Sequence, residues 1–275
     1  ARLLYERIPA GADPLGPQNV LGFLTGPLTG TGALIGSRFV VVGKSPKTHT
    51  WGDANCGGHF GPHLKYAGYD GVLVSGISPR PVYLLIEDGR PSLHDAAGVW
   101  GKNTAEAEAA LKRIHGQEAQ VALIGTAGEK VSLLACVMND EGRAAGRSGL
   151  GAVMGAKRLK AIVVKGSQVV PVANESRLKE IHQKALSETK GGFFDTLRNY
   201  GTAGITADSA ASGDSPVKNW GGSGVADFPP ERAEHISDDG VIAYQVRKYA
   251  CHRCPIACGG TMSLAQGPFA LALPH

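Results

Sequence analysis

The segment Cys251-His-Arg-Cys254-Pro-Ile-Ala-Cys258 places three cysteines within eight positions. Thiolates are soft, polarizable ligands, and thiols this close in sequence suit an iron–sulfur cluster or zinc better than they suit disulfides. Pro255 stiffens the turn between the second and third thiol. Only Cys56 and Cys136 lie elsewhere, so a fourth ligand has to come from a distant part of the fold or from outside this chain. A structural zinc site completed by His252 or another residue is the alternative.

The composition indicates a folded protein in a reducing compartment. The 275 residues are enough for one large domain or two ordinary ones, and glycine, at 39 residues, is abundant. The net charge of +4 is spread along the chain, which argues against nucleic acid as the main partner. No apolar run is long enough to cross a bilayer, and no signal peptide opens the sequence. A cytoplasmic protein without a disulfide framework is expected.

Local patterns predict an α+β fold rather than a repeated β-α-β unit. Residues 2–19 show no clear start of an element, and Asp88-Gly89 is typical of a turn. Short β-branched runs predict strands at residues 38–42, 72–74, 82–86, 121–124, 132–138 and 161–164. Helical spacing predicts helices at residues 61–67, 104–114 with Thr104 as the cap, 152–159, 176–189 and 238–249. The sequence pattern changes near Pro171, where short β-branched runs give way to helical spacing, and we place a domain boundary there.

Glycine-rich loops provide the second kind of candidate site. Asn55-Cys-Gly-Gly-His59, together with Arg38, and Arg143-Ala-Ala-Gly-Arg147 combine bare backbone with amide and guanidinium groups, which suits a phosphate. Taken singly, each loop favours a structural turn over a binding site. Two further segments, residues 30–36 and 149–155, resemble nucleotide fingerprints, but their context and spacing fit a Rossmann site less well.

The remaining polar residues and cysteines are mostly predicted to have structural roles. His59, His63, His94 and His115 have no metal-ligand spacing, so surface or core roles are favoured. Cys136 lies in an apolar stretch and is expected to be a small core residue, whereas Cys56, in a glycine loop, stays undecided. No Ser-His-Asp order or close carboxylate pair indicates a hydrolase.

In their order along the chain, these loops and cysteines resemble the tungsten-containing aldehyde ferredoxin oxidoreductase family. The matching blocks are Gly26-Pro-Leu-Thr-Gly-Thr31, Lys44-Ser-Pro46, Ala54-Asn-Cys-Gly-Gly-His-Phe-Gly61, Lys65-Tyr-Ala-Gly-Tyr-Asp70, Met138-Asn-Asp140, Arg143-Ala-Ala-Gly-Arg147, Gly151-Ala-Val-Met-Gly-Ala-Lys157 and the cysteine segment. So many ordered blocks are far more specific than any one of them.

The resemblance implies a domain of mixed β-sheets, residues 1–170, that forms a base beneath a tungsten bis-pterin cofactor. Residues 171–275 would be the start of a mainly helical domain carrying the cysteines. The resemblance also assigns contacts with the pterin to Arg38, which would lie between pterin and cluster. Further pterin contacts are assigned to Asn55, Gly57, Arg143, Ala144 and Gly146. The resemblance assigns to the backbone oxygens of Asn55 and Ala144 a magnesium ion that bridges the pterin phosphates. Cys251, Cys254 and Cys258 match three ligands of a 4Fe–4S cluster.

The activity implied for a full-length parent is oxidation of an aldehyde to a carboxylic acid with ferredoxin as electron acceptor. No catalytic residue is assigned, and a homo-oligomer is compatible with the sequence. The family pattern extends beyond both ends and is not continued from residue 261, so we expect a fragment that is inactive alone. The alternatives are a related tungsten enzyme that reduces an aromatic thioester, and a zinc-stabilised binding module without redox activity.

Overall fold

The computed structural model describes residues 1–264, 266 and 272–273, so most of the predicted atypical tail lies outside the described residues. The chain divides into two compact units. Unit 1 comprises Ala1–Leu178 together with Cys251–Arg253, and unit 2 comprises Lys179–Ala250 and Cys254–His275. The division falls inside a helix, Glu175–Glu188 (α6).

Unit 1 contains two sheets. The first, sheet A, is antiparallel and has the order β3-β2-β1-β4. Its strands are β1 (Leu21–Thr25), β2 (Phe39–Lys44), β3 (Trp51–Cys56) and β4 (Gly71–Val74). A short helix, α1 (Arg2–Arg7), covers one face through Leu4, which packs with Val20 and Val42. The prediction that residues 2–19 contain no element was therefore wrong.

The second, sheet B, has the order β6-β5-β10-β7-β8-β9 and is mixed, because β5 and β10 run parallel. Its strands are β5 (Val82–Glu87), β6 (Arg90–Asp95), β7 (Gln120–Leu123), β8 (Val137–Asn139), β9 (Arg143–Ala145) and β10 (Leu159–Lys165). The turn predicted at Asp88-Gly89 joins β5 to β6, and both of its residues have positive φ. A helix, α3 (Thr104–His115), packs on one face of this sheet through Ala107 and Leu111.

The main core lies where the two sheets meet α2 (Phe60–Tyr66) and α5 (Leu150–Ala156). Phe60 is fully buried and contacts the rings of Phe23 and Phe39 at centroid distances of 6.3 and 4.9 Å. A short helix, α4 (Thr126–Glu129), packs closely on α5. The strands β2 and β3 and the helix α2 in this part of the core position several of the candidate functional residues.

Unit 2 consists of short helices and a small antiparallel sheet. Its helices are the remainder of α6, α7 (Gly192–Tyr200), a 3-10 turn (Gly201–Ile205), α8 (Thr206–Ser212), α9 (Gly224–Asp227), α10 (Pro230–Glu234) and α11 (Asp238–Ile242). Its strands are β11 (Gln245–Tyr249), β12 (Gly259–Ser263) and β13 (Ala272–Leu273). No helix in the described part of the chain combines the length and apolar character needed to span a bilayer.

The α+β prediction is confirmed, and most errors are in boundaries. The predicted helix 238–249 is α11 followed by a strand, because the segment from Gln245 pairs with β12 instead of continuing the helix. The predicted strand 132–138 is a strand only from Val137, since Ala135 N–H closes a turn on Ser132. The cap of α3 is Asn103 rather than Thr104; its side chain accepts from Glu106 N–H at 2.9 Å.

Candidate functional site

Two predicted cofactor residues lie side by side on sheet A. Arg38 directly precedes β2, and the pairing of β2 with β3 brings it to the end of β3. Its Nε donates a hydrogen bond to Oδ1 of Asn55. Both side chains are exposed, whereas the next residue, Cys56, is buried because side chains alternate along β3. A guanidinium held in this way presents its remaining N–H groups to an anion.

Arg38 and Asn55 also line a pocket of about 380 Å³ in unit 1. The turn at Gly26-Pro-Leu-Thr29, one of the blocks that carry the family resemblance, forms another wall of the pocket. The Thr29 hydroxyl accepts from Gly26 N–H at 3.0 Å and donates to the Arg38 carbonyl at 2.9 Å. This turn therefore fixes the backbone from which the Arg38 side chain extends.

The Gly57-Gly58 pair lies at the centre of the site. A Cβ atom at Gly57 would lie 2.7 Å from Sγ of Cys251, so only glycine leaves room for that thiol. Gly58 has φ of +101°, and a Cβ there would lie 2.5 Å from Oδ1 of Asn139. Glycine is therefore required at both positions. Gly57 leaves room for the first cysteine, and Gly58 leaves room for the end of β8.

The second predicted phosphate loop is a β-hairpin. Arg143 and Ala144 lie in β9, which pairs with β8, and Asp140 and Glu141 both have positive φ in the turn between them. The Nε and Nη2 atoms of Arg143 are shielded from solvent, whereas Ala144 is exposed. Gly146 follows β9 and is also exposed; a Cβ there would make only ordinary contacts, so packing does not require this glycine.

Cys56 connects the two loops. Nδ2 of Asn139, a buried amide on β8, donates to Sγ of Cys56 at 3.0 Å and to the Arg143 carbonyl at 3.4 Å. Burial raises the pKa of the Cys56 thiol to about 11, although the hydrogen bond from Asn139 and the charges of Arg38 and Arg143 act in the opposite direction. Through Asn139, the Cys56 thiol is a structural link between the two loops.

The three clustered cysteines are free and half-buried. Cys251 belongs to unit 1, where it lies against Gly57, while Cys254 and Cys258 belong to unit 2. Positive φ at Arg253 and Ala257 bends the chain twice between the first and last cysteine. Across the residues that the structure describes, no three His, Cys, Asp or Glu side chains are grouped to hold a metal ion. The assignment of all three cysteines to one centre therefore depends on their spacing and chemistry.

His59 and His63 lie beside His252, the residue that follows Cys251. The sequence predicts only surface or core roles for these two histidines. His252 lies edge-on to His59, at a centroid distance of 5.8 Å, and to Tyr66, at 6.1 Å. Burial lowers the pKa of His252 to about 4, helped by the neighbouring histidines and Arg253, so its ring is neutral at pH 7. Nδ1 of His59 contacts Oδ2 of Asp140 at 3.0 Å. The sequence carried no periodic signal for this cluster.

Within unit 1 the structure thus brings together Arg38, Asn55, Gly57 and Cys251, and Arg143 joins them through Cys56 and Asn139. Of the residues that link these groups, the sequence left Cys56 undecided, named His252 only as a possible zinc ligand, and gave no role of their own to Asn139 and Tyr66. A signal existed only for Asn139, since Asn-Asp before Glu-Gly is typical of a turn.

Unit 1 thus brings glycine loops, two arginines and the first cysteine of the segment onto one α+β scaffold. The family model described as the N-terminal domain of aldehyde ferredoxin oxidoreductase matches residues 1–166. The model described as domains 2 and 3 of the same enzyme matches residues 177–273, which includes most of the segment from residue 261. The chain belongs to the aldehyde ferredoxin oxidoreductase family.

Curated relatives agree with this assignment. The chain is 41% identical, over 279 residues, to the tungsten-containing aldehyde ferredoxin oxidoreductase of Thermococcus kodakarensis, with 97% of this chain and 45% of that protein covered. It is 42% identical, over 264 residues, to the enzyme of the same name from Pyrococcus furiosus, covering 94% and 42%. The chain therefore spans less than half the length of these relatives.

More distant relatives have other names. An aliphatic sulfonate oxidoreductase, WOR-like subunit, from P. furiosus is 31% identical over 277 residues, covering 94% of this chain and 42% of that protein. Among solved structures, the active site complex BamBC of benzoyl coenzyme A reductase with 1,5-dienoyl-CoA superposes with a TM-score of 0.79 at 27% identity. That match covers 97% of this chain and 42% of that one.

Proposed function

We propose that this chain supplies the pterin-binding base and the electron exit of a tungsten-dependent oxidoreductase that converts an aldehyde to a carboxylic acid. The balanced reaction is RCHO + H2O → RCOO⁻ + 3 H⁺ + 2 e⁻, with ferredoxin as the electron acceptor. The bound tungsten–pterin group supplies the two-electron acceptor. The observation that carries the proposal is the meeting of Arg38, Asn55 and Gly57 with Cys251 in one unit.

The proposed binding residues fall into groups according to the charge of the phosphate or metal ion that each would bind. Arg38 and Arg143 are cations beside bare backbone, which suits the phosphates of the pterin. Carbonyl oxygens of Asn55 and Ala144 are hard ligands that suit magnesium. Gly146 is exposed and has no Cβ, so its main chain is open to a ligand, whereas the bare main chain of Gly57 leaves room for Cys251. In this assignment residues 1–170 form the pterin-binding domain and residues from 171 begin the cysteine-bearing domain.

Cys251, Cys254 and Cys258 are proposed to hold three irons of a 4Fe–4S cluster, with the fourth ligand outside this set. We do not assign Cys56 to that fourth position, because its side chain is buried and its sulfur accepts a hydrogen bond from Nδ2 of Asn139. Five free cysteines suit a reducing compartment, which supports a cytoplasmic location. In the zinc alternative, completed by His252 or another residue, Nε2 of His252 would have to exchange its contact with the Tyr66 hydroxyl, at 3.2 Å, for the metal.

A related reaction, reduction of an aromatic thioester, is the second candidate. The likeness to the benzoyl coenzyme A reductase complex favours it. The higher identity to the aldehyde oxidoreductases, 41% against 27%, favours aldehyde oxidation.

The cluster assignment is tested by reconstituting the purified chain anaerobically with ferrous iron and sulfide. We expect equal amounts of bound iron and labile sulfide, and an EPR signal after reduction. Cys254→Ser and Cys258→Ser should lose most of the iron, while the control Cys136→Ser should keep it. Zinc binding without iron would refute the redox assignment and support the binding-module alternative.

The pterin assignment is tested by pterin and tungsten analysis of the chain isolated from a tungsten-supplied host. Arg38→Ala and Arg143→Ala should lower both contents about tenfold or more, because each removes a charge-assisted contact worth roughly 1.5–3 kcal/mol. Arg80→Ala is the matched control, since Arg80 is an exposed arginine of unit 1 whose ion pair with Asp95 lies outside the site. Equal pterin content in all four proteins would contradict the roles given to Arg38 and Arg143.

A further inference from the structure

The short segment Cys251–Arg253 belongs to unit 1, whereas the residues on either side of it belong to unit 2. Each of its three residues lies against a different glycine of unit 1. Sγ of Cys251 lies over Gly57, and the main-chain N–H of His252 donates to the Gly58 carbonyl at 3.2 Å. Nη1 of Arg253 lies 3.3 Å from the position that a Cβ of Gly32 would occupy. Of these contacts, only the one from His252 is a hydrogen bond of the main chain. The position of the Cys251 thiol over Gly57 therefore depends on how firmly the next residue is held.

The side chain of His252 makes a second attachment. Its Nε2 lies 3.2 Å from the Tyr66 hydroxyl, and that hydroxyl donates to the Gly30 carbonyl at 3.1 Å. A hydroxyl carries one proton. Since that proton goes to Gly30, the Tyr66 oxygen accepts a hydrogen bond from Nε2–H of His252.

Tyr66 is well placed to act as an anchor. It is the last residue of α2, a helix whose Phe60 and Leu64 are fully buried in the main core. Its hydroxyl contacts both the Gly30 carbonyl and His252, so a single oxygen connects the turn at Gly30 with the cysteine segment.

The rings around His252 are themselves fixed. Nδ1 of His59 contacts the Asp140 carboxylate at 3.0 Å, and Nδ1 of His63 donates to the His59 carbonyl at 2.9 Å. The ring of His63 lies edge-on to those of Tyr66 and His252, at centroid distances of 5.4 and 6.5 Å. The His252 ring thus fits between side chains that have partners of their own and cannot easily move aside.

We propose that His252 and Tyr66 are positioning residues: their hydrogen bond, with that from His252 N–H to Gly58, fastens Cys251 onto the Gly57-Gly58 backbone. Neither side chain has to touch a cofactor for this role. The consequence for electron transfer rests on the proposed function, because it requires Cys251 to be a cluster ligand. The attachment itself is a property of the chain, so it can be tested without metal.

The test is the rate at which iodoacetamide alkylates Cys251 in the metal-free, reduced chain, followed by peptide mass spectrometry. Tyr66→Phe and His252→Leu should raise that rate roughly three- to tenfold, the factor expected when one hydrogen bond is lost. His252→Gln keeps a side-chain N–H donor and should restore a rate near that of the native chain. The alkylation rate of Cys258, measured in the same samples, should not change.

Tyr69→Phe is the matched control. The Tyr69 hydroxyl also donates to a glycine carbonyl in unit 1, that of Gly89 at 2.9 Å, but it has no link to the cysteine segment. We expect its Cys251 rate to equal that of the native chain. Unchanged Cys251 rates in both Tyr66→Phe and His252→Leu, or equal increases at Cys251 and Cys258, would overturn the proposal.

A second measurement separates this proposal from the proposed function. After reconstitution with iron and sulfide, the variants that loosen Cys251 should show a shifted reduction potential and an altered EPR line shape, with His252→Gln close to native. If alkylation responds as expected but the native chain binds no iron, the attachment stands and the cluster assignment fails. If the native chain binds iron and alkylation does not respond, the cluster assignment stands and the attachment fails.

Discussion

Units 1 and 2 differ sharply in how much side chain they bury. Unit 1 encloses large residues completely, among them Phe23, Phe39 and Phe60. In unit 2, the described residues that are buried are small: Gly201, Ala210, Ala233 and Ser237. Four of its helices, α6, α7, α9 and α11, bury no residue at all. Because hydrophobic burial is the main stabilising term in folding, unit 1 has its own source of stability and unit 2, as described, has little.

The largest expected effect comes from a matched pair of phenylalanines. Phe60→Ala should reduce the unfolding free energy of unit 1 by about 3–5 kcal/mol, because it removes a fully buried ring from the core. Phe193→Ala in α7, where the side chain is 60% exposed, should change stability by less than about 0.5 kcal/mol. Urea unfolding followed by Trp51 and Trp100 for unit 1, and by Trp220 for unit 2, measures both. Similar losses would abolish the distinction between the units.

Buried charge sharpens the same contrast. Lys160 is fully buried and pairs with Glu129, so Lys160→Ala should cost about 3 kcal/mol by leaving a carboxylate without its cation. In unit 2, Lys218 pairs with Asp227 at 2.5 Å near the surface, and Lys218→Ala should cost at most about 1 kcal/mol. The same unfolding experiment, repeated in high salt, should change only the second value.

Ser237 is the place where unit 2 should be most sensitive. Its buried hydroxyl donates to the Ala203 carbonyl at 3.1 Å and accepts from Ala207 N–H at 3.3 Å, joining α11 to the 3-10 turn and α8. Ser237→Ala should cost about 1 kcal/mol. Ser223→Ala, at an exposed serine of the same unit, should have a smaller effect in Trp220-monitored unfolding. Equal effects would show that the hydroxyl contacts of Ser237 add nothing.

The smallest predicted effect is a pH dependence confined to unit 1. Burial lowers the pKa of His63 below its usual 6.5, against the opposing effect of its hydrogen bond to the His59 carbonyl. The unfolded state therefore binds a proton that the folded state does not. The unfolding free energy should fall as the pH drops below about 6.5 toward the lowered pKa, and it should be constant above that range. His63→Gln should reduce this slope between about pH 8 and pH 5 without abolishing it, because burial also lowers the pKa values of His252 and His115; an unchanged slope would contradict the role of His63.

Strong local patterns predicted secondary structure well. The helix predicted at residues 176–189 is α6, Glu175–Glu188, and the strand predicted at 161–164 is the centre of β10. Prediction failed where tertiary pairing competed with local preference. Gln245–Tyr249 continues a helical pattern from α11, yet it forms a strand because β12 offers it a partner. The strand β9 was predicted as loop, since its three residues give no pattern of their own.

The amino-acid sequence by itself determined the spacing of the three cysteines, the ordered glycine blocks and the α+β class, because each of these is a property of neighbouring residues. Only the tertiary structure decided that Gly57 lies beneath Cys251, that Asn139 links Cys56 to Arg143, and that Tyr66 holds His252. Those contacts join segments that are far apart in the chain. They form because sheet A, α2 and the β8–β9 hairpin pack on one core, and no local pattern specifies which loops that packing brings together.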